Sequence, residues 1–181
     1  MNIYIKSSFA QEKKDYLKKN VAEGKIFFYP TDTVYGLGCD AANVESVKKI
    51  NDIKRREKPL SIIAPSKEWI RKNCDVEEEY LQLLPGKITL IVKTKKKGFL
   101  KEVGKEGLLG VRIPKHWFSE VVEEIGKPFV TTSANFTGEK PFRNVKKAKE
   151  LIEKVDVVID EGILSSKPSK IINTITKEVI R

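Results

Sequence analysis

Two short polar segments of this chain combine fixed positive charge with directional hydrogen-bonding groups. Lys54 and Arg56 supply the charge, and Ser133 and Asn135, much later in the chain, supply a short hydroxyl and an amide. A polyanionic ligand such as a nucleoside triphosphate needs both neutralisation of its charge and orientation by hydrogen bonds. The two segments together therefore predict a site for a polyanion.

The segment from Pro30 to Gly38 places two threonines, an aspartate and two glycines directly after an apolar, aromatic run. Such a run predicts a buried strand, and α/β sheets bind ligands in the loops at strand ends. Thr31 and Thr33 are therefore candidates for hydrogen-bonding a small polar ligand. An ordinary turn capped by Asp32 is the alternative interpretation.

Arg112 stands inside an apolar strand pattern, Gly110-Val111-Arg112-Ile113-Pro114. A guanidinium there is costly unless a carboxylate or a phosphate pairs with it, so Arg112 indicates either a bound anion or a structural ion pair. The sequence contains no P-loop, and Gly36-Leu37-Gly38 lacks the third glycine of a dinucleotide loop. A bound nucleotide would therefore depend on dispersed cations. The candidates are Lys54, Arg56, Lys58 and Arg112, although basic residues at a helix C-terminus also complement the helix dipole.

The whole-chain composition narrows the classes of function. The 181 residues predict one domain, 1–181, and the net charge of +10 favours anionic partners such as nucleotides or RNA. A lysine- and glutamate-rich thermophile-like surface explains the same charge without any partner. No segment approaches the roughly 18–20 apolar residues needed to span a bilayer, so no membrane association is predicted.

The cysteine and histidine content indicates a reducing compartment and no metal site. Cys39 and Cys74 are far apart and lack metal-ligand spacing, which favours the cytoplasm over a disulfide framework. His116 is the single histidine, so mechanisms that need two imidazoles are excluded.

Strand and helix patterns alternate loosely, and some neighbouring strands look like hairpins. This arrangement predicts an α/β fold with a twisted, mixed parallel and antiparallel sheet flanked by helices. Helices are predicted at 11–23, 44–53, 76–84, 117–125 and 144–154. Strands are predicted at 25–29, 60–64, 88–93, 108–113, 129–132 and 155–159, with further strands in 169–181.

Taken in order, five blocks resemble the YrdC-like family of threonylcarbamoyl-adenylate synthases, in its single-domain form. The blocks are Tyr29–Ala41, Lys54–Leu60, Pro85–Thr89, Gly110–Pro114 and Thr132–Gly138. The resemblance extends over most of the chain, roughly from Gly24 to Arg181.

The resemblance implies an activity and a set of site residues. Such enzymes convert ATP, L-threonine and bicarbonate into threonylcarbamoyl-AMP and pyrophosphate, with Mg²⁺ carried by the triphosphate. Other proteins then transfer the threonylcarbamoyl group to a tRNA adenosine, and direct tRNA binding is a possibility. The catalytic residues implied are Lys54, Arg56, Ser133 and Asn135. The implied ATP contacts are Lys54, Arg56, Lys58, Asn135, Ser169 and Arg181. The implied threonine contacts are Thr31, Thr33, Arg112 and Ser133.

Several positions depart from the family pattern. Many members carry a histidine shortly after the Pro-Leu step, whereas residues 60–64 contain none. Lys170 replaces a usual threonine, and Leu108 stands where relatives often have one. The sequence ends at Arg181, without the additional C-terminal domain of the longer subfamily.

Three alternatives to an active synthase remain open. A divergent paralogue would share the fold and lack the full reaction. A non-catalytic module that binds tRNA or structured RNA fits the net charge, although no aromatic RNA-binding platform is evident. A carbamoyl-transferring relative would normally be part of a much larger chain.

Overall fold

The short apolar runs of the sequence form the strands of one mixed sheet. The structure is a computed structural model, and it describes residues 3–55 and 59–181. Within these residues the strands are β1 Ile3–Lys6, β2 Phe27–Tyr29, β3 Gly36–Gly38, β4 Ser61–Ile63, β5 Cys74–Asp75, β6 Ile88–Thr94, β7 Leu108–Arg112, β8 Phe129–Ser133, β9 Val157–Asp160, β10 Lys170–Asn173 and β11 Glu178–Val179. The helices are α1 Ser7–Glu12, α2 Lys14–Ala22, α3 Val44–Lys54, α4 Lys67–Asn73, α5 Glu78–Leu81, α6 Phe118–Ile125 and α7 Lys149–Ile152, with a 3₁₀ turn at Val145–Lys147.

The sheet combines parallel and antiparallel pairs, as the sequence predicts. Its strand order is β1-β9-β2-β3-β8-β4-β7-β6-β10-β11, and β5 pairs with β6 outside this path. The parallel pairs are β1–β9, β2–β9, β4–β7 and β6–β10, and the remaining pairs are antiparallel. The mixed α/β prediction is therefore confirmed. The assignment of 1–181 to a single domain stays a prediction.

Successive strand residues point to opposite sides of the sheet, so apolar strands supply side chains to a hydrophobic core on each face. Phe28 packs in one hydrophobic core together with Val47 and Ile50 of α3. Phe27 and Tyr29 belong to a second core, which contains apolar residues of α2 and α6. Helices on the two faces thus bury the central strands on both sides.

The loop that follows β2 is shorter than predicted, because part of the segment from Pro30 to Gly38 forms strand β3. The two glycines of this segment belong to β3, which pairs antiparallel with β2 in a hairpin. A Cβ on Gly38 would lie 2.2 Å from a ring carbon of Phe129, so this glycine is required by close packing rather than by positive φ. The sequence pattern did not indicate β3 because glycines carry no hydrophobic alternation.

Other predicted elements differ mainly in length. The predicted helix at 76–84 is limited to Glu78–Leu81, and the one at 144–154 is a 3₁₀ turn followed by Lys149–Ile152. The elements β1, α4 and β5 were not predicted. Within residues 3–55 and 59–181, no helix has the length and apolar character needed to cross a bilayer.

Candidate active site

A cleft of about 620 Å³ is lined by residues of the neighbouring central strands β3, β8, β4 and β7 and of β6 and β10. Hydroxyl side chains and two arginines dominate its wall, and no aspartate or glutamate occurs among its described lining residues. These residues are Thr31, Thr33, Val34, Tyr35, Gly36, Pro59, Leu60, Ser61, Thr89, Arg112, Thr131, Thr132, Ser133, Pro168, Ser169, Ile171, Ile180 and Arg181. Such a lining suits a ligand that carries negative charge.

Arg112 lies at the end of β7 in a buried ion pair. Its Nη2 donates to Asp32 Oδ1 at 2.5 Å, and the two side chains are 7% and 5% exposed. Burial lowers the pKa of the Arg112 guanidinium and the charge of Asp32 opposes this shift. Because an arginine pKa starts above about 12, the group stays charged. The structural ion pair that the sequence left open is therefore present.

The ion pair does not use all of the donors of Arg112. Its Nη1 reaches Thr33 Oγ1 only at 3.5 Å, and its Nε is buried without a hydrogen-bond partner among the described residues. A guanidinium has five N–H groups, so capacity remains for a ligand anion. The predicted contact with the threonine carboxylate stays a prediction, and it is compatible with the ion pair.

Asp32 also fixes the loop that follows β2. Its second carboxylate oxygen accepts from the backbone N–H of Lys115 at 3.0 Å, just beyond the end of β7. Asp32 therefore joins the loop to two neighbouring points of the β7 segment. From the sequence, Asp32 was expected only to cap the turn. Its pairing with Arg112 needed a spatial neighbour that the sequence does not reveal.

Thr31 and Thr33 have different roles in the cleft wall. Thr31 Oγ1 donates to the carbonyl of Val34 at 2.8 Å and accepts from the N–H of Thr33 at 3.1 Å, so it stabilises the turn. The two threonine hydroxyls are 3.0 Å apart. Both residues line the cleft, as expected for ligand contacts.

Lys54 lies behind the cleft wall at the end of α3. This helix begins where predicted, with Asn43 accepting from the N–H of Ser46. The ammonium of Lys54 is 1% exposed and donates to the backbone carbonyl of Ser133 at 2.6 Å. It also donates to the backbone carbonyl and to Oδ1 of Asn135, both at 3.0 Å. The two polar segments singled out from the sequence are therefore in direct contact.

A second polar group of the cleft wall lies on β6, directly before β10 and at the end of the sequence, and β6 is next to β7 in the sheet. Ser169 Oγ is 3.0 Å from Thr89 Oγ1, and both side chains are buried. Arg181 Nε donates to the carbonyl of Ser169 at 3.1 Å. The parallel pairing of β10 with β6, which places Ile171 beside Thr89, brings this part of the chain to the cleft.

The structure thus brings most of the predicted residues together. Six of them line the cleft: Thr31, Thr33, Arg112, Ser133, Ser169 and Arg181. Lys54 and Asn135 lie directly behind Ser133, and they are not among the described lining residues. The predictions for Arg56 and Lys58 lie outside the described residues.

Four serine and threonine side chains of the described lining were not singled out as site residues: Ser61, Thr89, Thr131 and Thr132. Thr131 accepts a hydrogen bond from the hydroxyl of Tyr29 at 2.6 Å, and burial raises the pKa of this tyrosine. The position of Thr89 between the apolar residues Ile88 and Leu90 of β6 was the available signal, because a buried hydroxyl requires a partner.

The positions that depart from the family pattern are not all remote from the cleft, because Leu60 and Ser61 of the stretch without a histidine line it, and Lys170 lies between the lining residues Ser169 and Ile171. Ile63 packs in the second core, Leu108 begins β7, and Lys170 is exposed at the start of β10. The groups that could bind a metal are also sparse: residues 3–55 and 59–181 contain no cluster of three or more His, Cys, Asp or Glu with suitable geometry. Cys39 and Cys74 are free and buried, and burial raises the pKa of Cys74 to about 11.

Comparison with known proteins identifies close relatives. The sequence profile of the Sua5/YciO/YrdC family, described as telomere recombination, matches residues 19–181. A protein of Methanocaldococcus jannaschii, named a putative threonylcarbamoyl-AMP synthase, is 39% identical over 175 residues. The match covers 92% of this chain and 82% of that protein.

Solved structures support the fold. Sua5 of P. abyssi, in a crystal structure described as a complex with L-threonine, matches with a TM-score of 0.83 and 27% identity. The match covers 96% of this chain, whereas the chain spans only 54% of that protein. Escherichia coli YciO matches with a TM-score of 0.83 at 24% identity, covering 100% of this chain and 94% of the other, and shows similarity of fold.

Proposed function

Because this chain belongs to the Sua5/YciO/YrdC family, we propose that it is a threonylcarbamoyl-AMP synthase that uses ATP, L-threonine and bicarbonate. The observation that carries the proposal is the lining of the cleft. Two guanidiniums and several hydroxyls converge there, with no aspartate or glutamate among the described lining residues. This chemistry suits substrates that all carry negative charge.

The reaction consists of two bond-forming steps. The neutral amine of threonine attacks CO₂ derived from bicarbonate, loses a proton and forms a carbamate. A carbamate oxygen then attacks the α-phosphorus of ATP, and the bond to the leaving pyrophosphate breaks. Since the carbamate and ATP are both anions and repel one another, the protein contributes mainly by positioning them and by compensating their charge.

The threonine half of the cleft is proposed to be formed by Thr31, Thr33, Arg112 and Ser133. The unpartnered Nε and the weakly engaged Nη1 of Arg112 support a role in binding the substrate carboxylate. Asp32 holds the guanidinium in place before the ligand arrives. Preorganised donors of this kind act without reorganisation during the reaction.

The nucleotide half is proposed to involve Ser169 and Arg181, with Arg56 and Lys58 as further phosphate contacts. Arg181 is anchored through its Nε to the carbonyl of Ser169, which supports a fixed guanidinium on this side. Mg²⁺ is proposed to enter with the triphosphate as part of the substrate, because the described lining contains no aspartate or glutamate.

The partners and the location follow from the same activity. We infer that downstream proteins transfer the threonylcarbamoyl group to a tRNA adenosine and that the enzyme works in the cytoplasm. Two free, buried cysteines are consistent with a reducing compartment. Direct tRNA binding is a separate expectation, which the net charge of +10 favours.

The activity is tested by measuring pyrophosphate release from purified protein with ATP, L-threonine and bicarbonate, leaving out one component at a time. Release is expected only in the complete mixture, with threonylcarbamoyl-AMP detected by mass spectrometry. Release that continues without threonine would exclude the proposed reaction. A protein that releases no pyrophosphate but binds RNA with steep salt dependence would favour the RNA-binding alternative.

A further inference from the structure

The buried ammonium of Lys54 determines the orientation of the Asn135 side chain. An ammonium has three donors and no acceptor, and the carbonyl of Ser133 and two oxygens of Asn135 lie within 3.0 Å of it. The side-chain amide of Asn135 must therefore turn its oxygen towards Lys54, since its NH₂ would face a donor. Its Nδ2 instead donates to the carbonyl of Glu139 at 2.8 Å.

The orientation of Asn135 in turn determines the direction of the Ser133 proton. Ser133 Oγ lies 2.6 Å from Asn135 Oδ1, and an amide oxygen can only accept. The hydroxyl of Ser133 must therefore donate to it. A serine hydroxyl has one proton and two lone pairs, so the proton is used and only acceptor capacity remains for the cleft.

This polarity restricts which group of a ligand can contact Ser133. Ionised phosphate and carboxylate oxygens are acceptors, so they gain no hydrogen bond from a hydroxyl whose proton is already used. An amine or a hydroxyl of the ligand can donate a hydrogen bond to the oxygen of Ser133. Two lone-pair-bearing oxygens facing each other would also leave both without a donor, which is costly away from water.

We propose that Lys54 and Asn135 are positioning residues that turn the Ser133 proton away from the cleft, so that Ser133 accepts a hydrogen bond from the amine or hydroxyl of the amino-acid substrate. Ser133 then belongs to the threonine half of the cleft and does not contact phosphate. The identity of the ligand rests on the proposed function, whereas the direction of the proton rests on the hydrogen bonds of the protein itself.

The hydroxyl of Thr33 has the same polarity. Thr31 uses its single proton on the carbonyl of Val34, so Thr33 must be the donor in the contact between the two threonines. The oxygen of Thr33 is then left as an acceptor, which already faces Arg112 Nη1 at 3.5 Å. Two hydroxyls of the same cleft are thus set to receive donors, beside a guanidinium that binds a carboxylate. An α-amino acid carries this combination of groups.

The direction of the proton can be tested without any ligand. Neutron crystallography of the full chain after exchange into D₂O locates the deuterium of Ser133. We expect it between Ser133 Oγ and Asn135 Oδ1. Deuterium that points into the cleft would overturn the proposal, whether or not the protein has the proposed activity.

The choice of ligand is tested by calorimetric titration of L-threonine and of Mg·ATP, each alone. Loss of one hydrogen bond in Ser133→Ala should weaken threonine binding roughly 3- to 10-fold and leave ATP binding within about 2-fold. Ser165→Ala, an exposed serine outside the described lining, is the matched control and should change neither affinity. Weaker ATP binding with unchanged threonine binding would refute the assignment. If the wild-type protein binds neither ligand, the proposed function fails, and the neutron result still decides the polarity.

The positioning role of Asn135 is tested by a double-mutant cycle for threonine binding. Asn135→Ala releases the Ser133 proton and should weaken threonine binding. Adding this change to Ser133→Ala should weaken it no further, because Asn135 acts through that hydroxyl. Additive losses would show an independent role and contradict the proposal. The thermal midpoint of each variant reports folding, and if Asn135→Ala does not fold, Ser133→Ala and the neutron measurement still decide.

Discussion

Removal of the Asp32 carboxylate should destabilise the protein strongly, because it would leave a buried guanidinium without its counter-ion. Asp32 and Arg112 form an ion pair at 2.5 Å, and their side chains are 5% and 7% exposed. Loss of one partner of such a pair costs about 3–5 kcal/mol, since the remaining charge is uncompensated. Asp32→Ala also deprives the N–H of Lys115 of its acceptor. We therefore expect a decrease in the free energy of unfolding at the upper end of that range.

Urea denaturation and thermal unfolding measure this change. For a chain of this size, 1 kcal/mol corresponds to roughly 2–4 °C, so the upper end of that range lowers the midpoint by about 10–20 °C. Asp15→Ala is the matched control: this carboxylate also pairs with a cation, Lys18 at 2.6 Å, but its side chain is 96% exposed. Solvent screens such a pair, so its midpoint should not change measurably.

A double-mutant cycle separates the ion pair from the other contacts of Asp32. Removing both charges in Asp32→Ala with Arg112→Ala should cost less than the sum of the single changes, because no unpaired charge is left behind. The reasoning would be refuted if Asp32→Ala unfolded at the midpoint of Asp15→Ala. Strict additivity in the cycle would refute it as well, since the destabilisation would then come from other contacts.

Three further predictions concern substrate binding, packing and acid stability. Arg112→Ala should raise the KM for L-threonine more than the KM for ATP, and equal increases in steady-state assays would indicate a structural role alone. Gly38→Ala should destabilise by roughly 1–3 kcal/mol in urea denaturation, because the added Cβ would lie 2.2 Å from a phenylalanine ring. Gly98→Ala, which has open space and only positive-φ strain, should cost less. Burial of Asp160 disfavours its ionisation, but hydrogen bonds from a lysine, a tyrosine and a backbone N–H outweigh this and lower its pKa to about 2. Its stabilisation is therefore present above the unfolded pKa near 3.8 and is lost as the pH falls towards 2, so unfolding curves of Asp160→Asn should change less over this range than those of the wild type.

Hydrophobic patterns predicted those helices and strands in which buried apolar residues recur at a regular spacing along the sequence. Two helix ends could be recognised because their signals are local. Asn43 caps the start of α3, and Gly126 ends α6. Strand β3 could not be recognised, since its role depends on contact with β8, which is about 95 residues away in the sequence. Strand order in a mixed sheet follows from such distant pairings, so the sequence supported the fold class and not the order.

For the site as well, the sequence indicated the types of the functional residues but not their arrangement in space. Residue types indicated which side chains were out of place in an apolar context, and Arg112 and Ser133 do line the cleft. The sequence could not show that Lys54 is buried against Ser133 and Asn135, because a lysine at a helix end is usually exposed. The expected direct contact of Lys54 with ATP stays a prediction. A second role, in shaping the cleft wall, follows from the observed hydrogen bonds.

The two interpretations of Arg112 that the sequence left open are compatible for a physical reason. A guanidinium without a counter-ion would be too costly to bury. A buried arginine that binds a ligand therefore needs a counter-ion from the protein while the ligand is absent. Asp32 is that counter-ion, and it uses only one of the five N–H groups through Nη2. The ion pair weakens the attraction for a substrate carboxylate because the pair is neutral overall, but it holds the remaining donors in a fixed direction. If Arg112 binds the proposed substrate carboxylate, specificity at this position would come from the orientation of its N–H groups, and overall attraction would come from other cations of the cleft, such as Arg181.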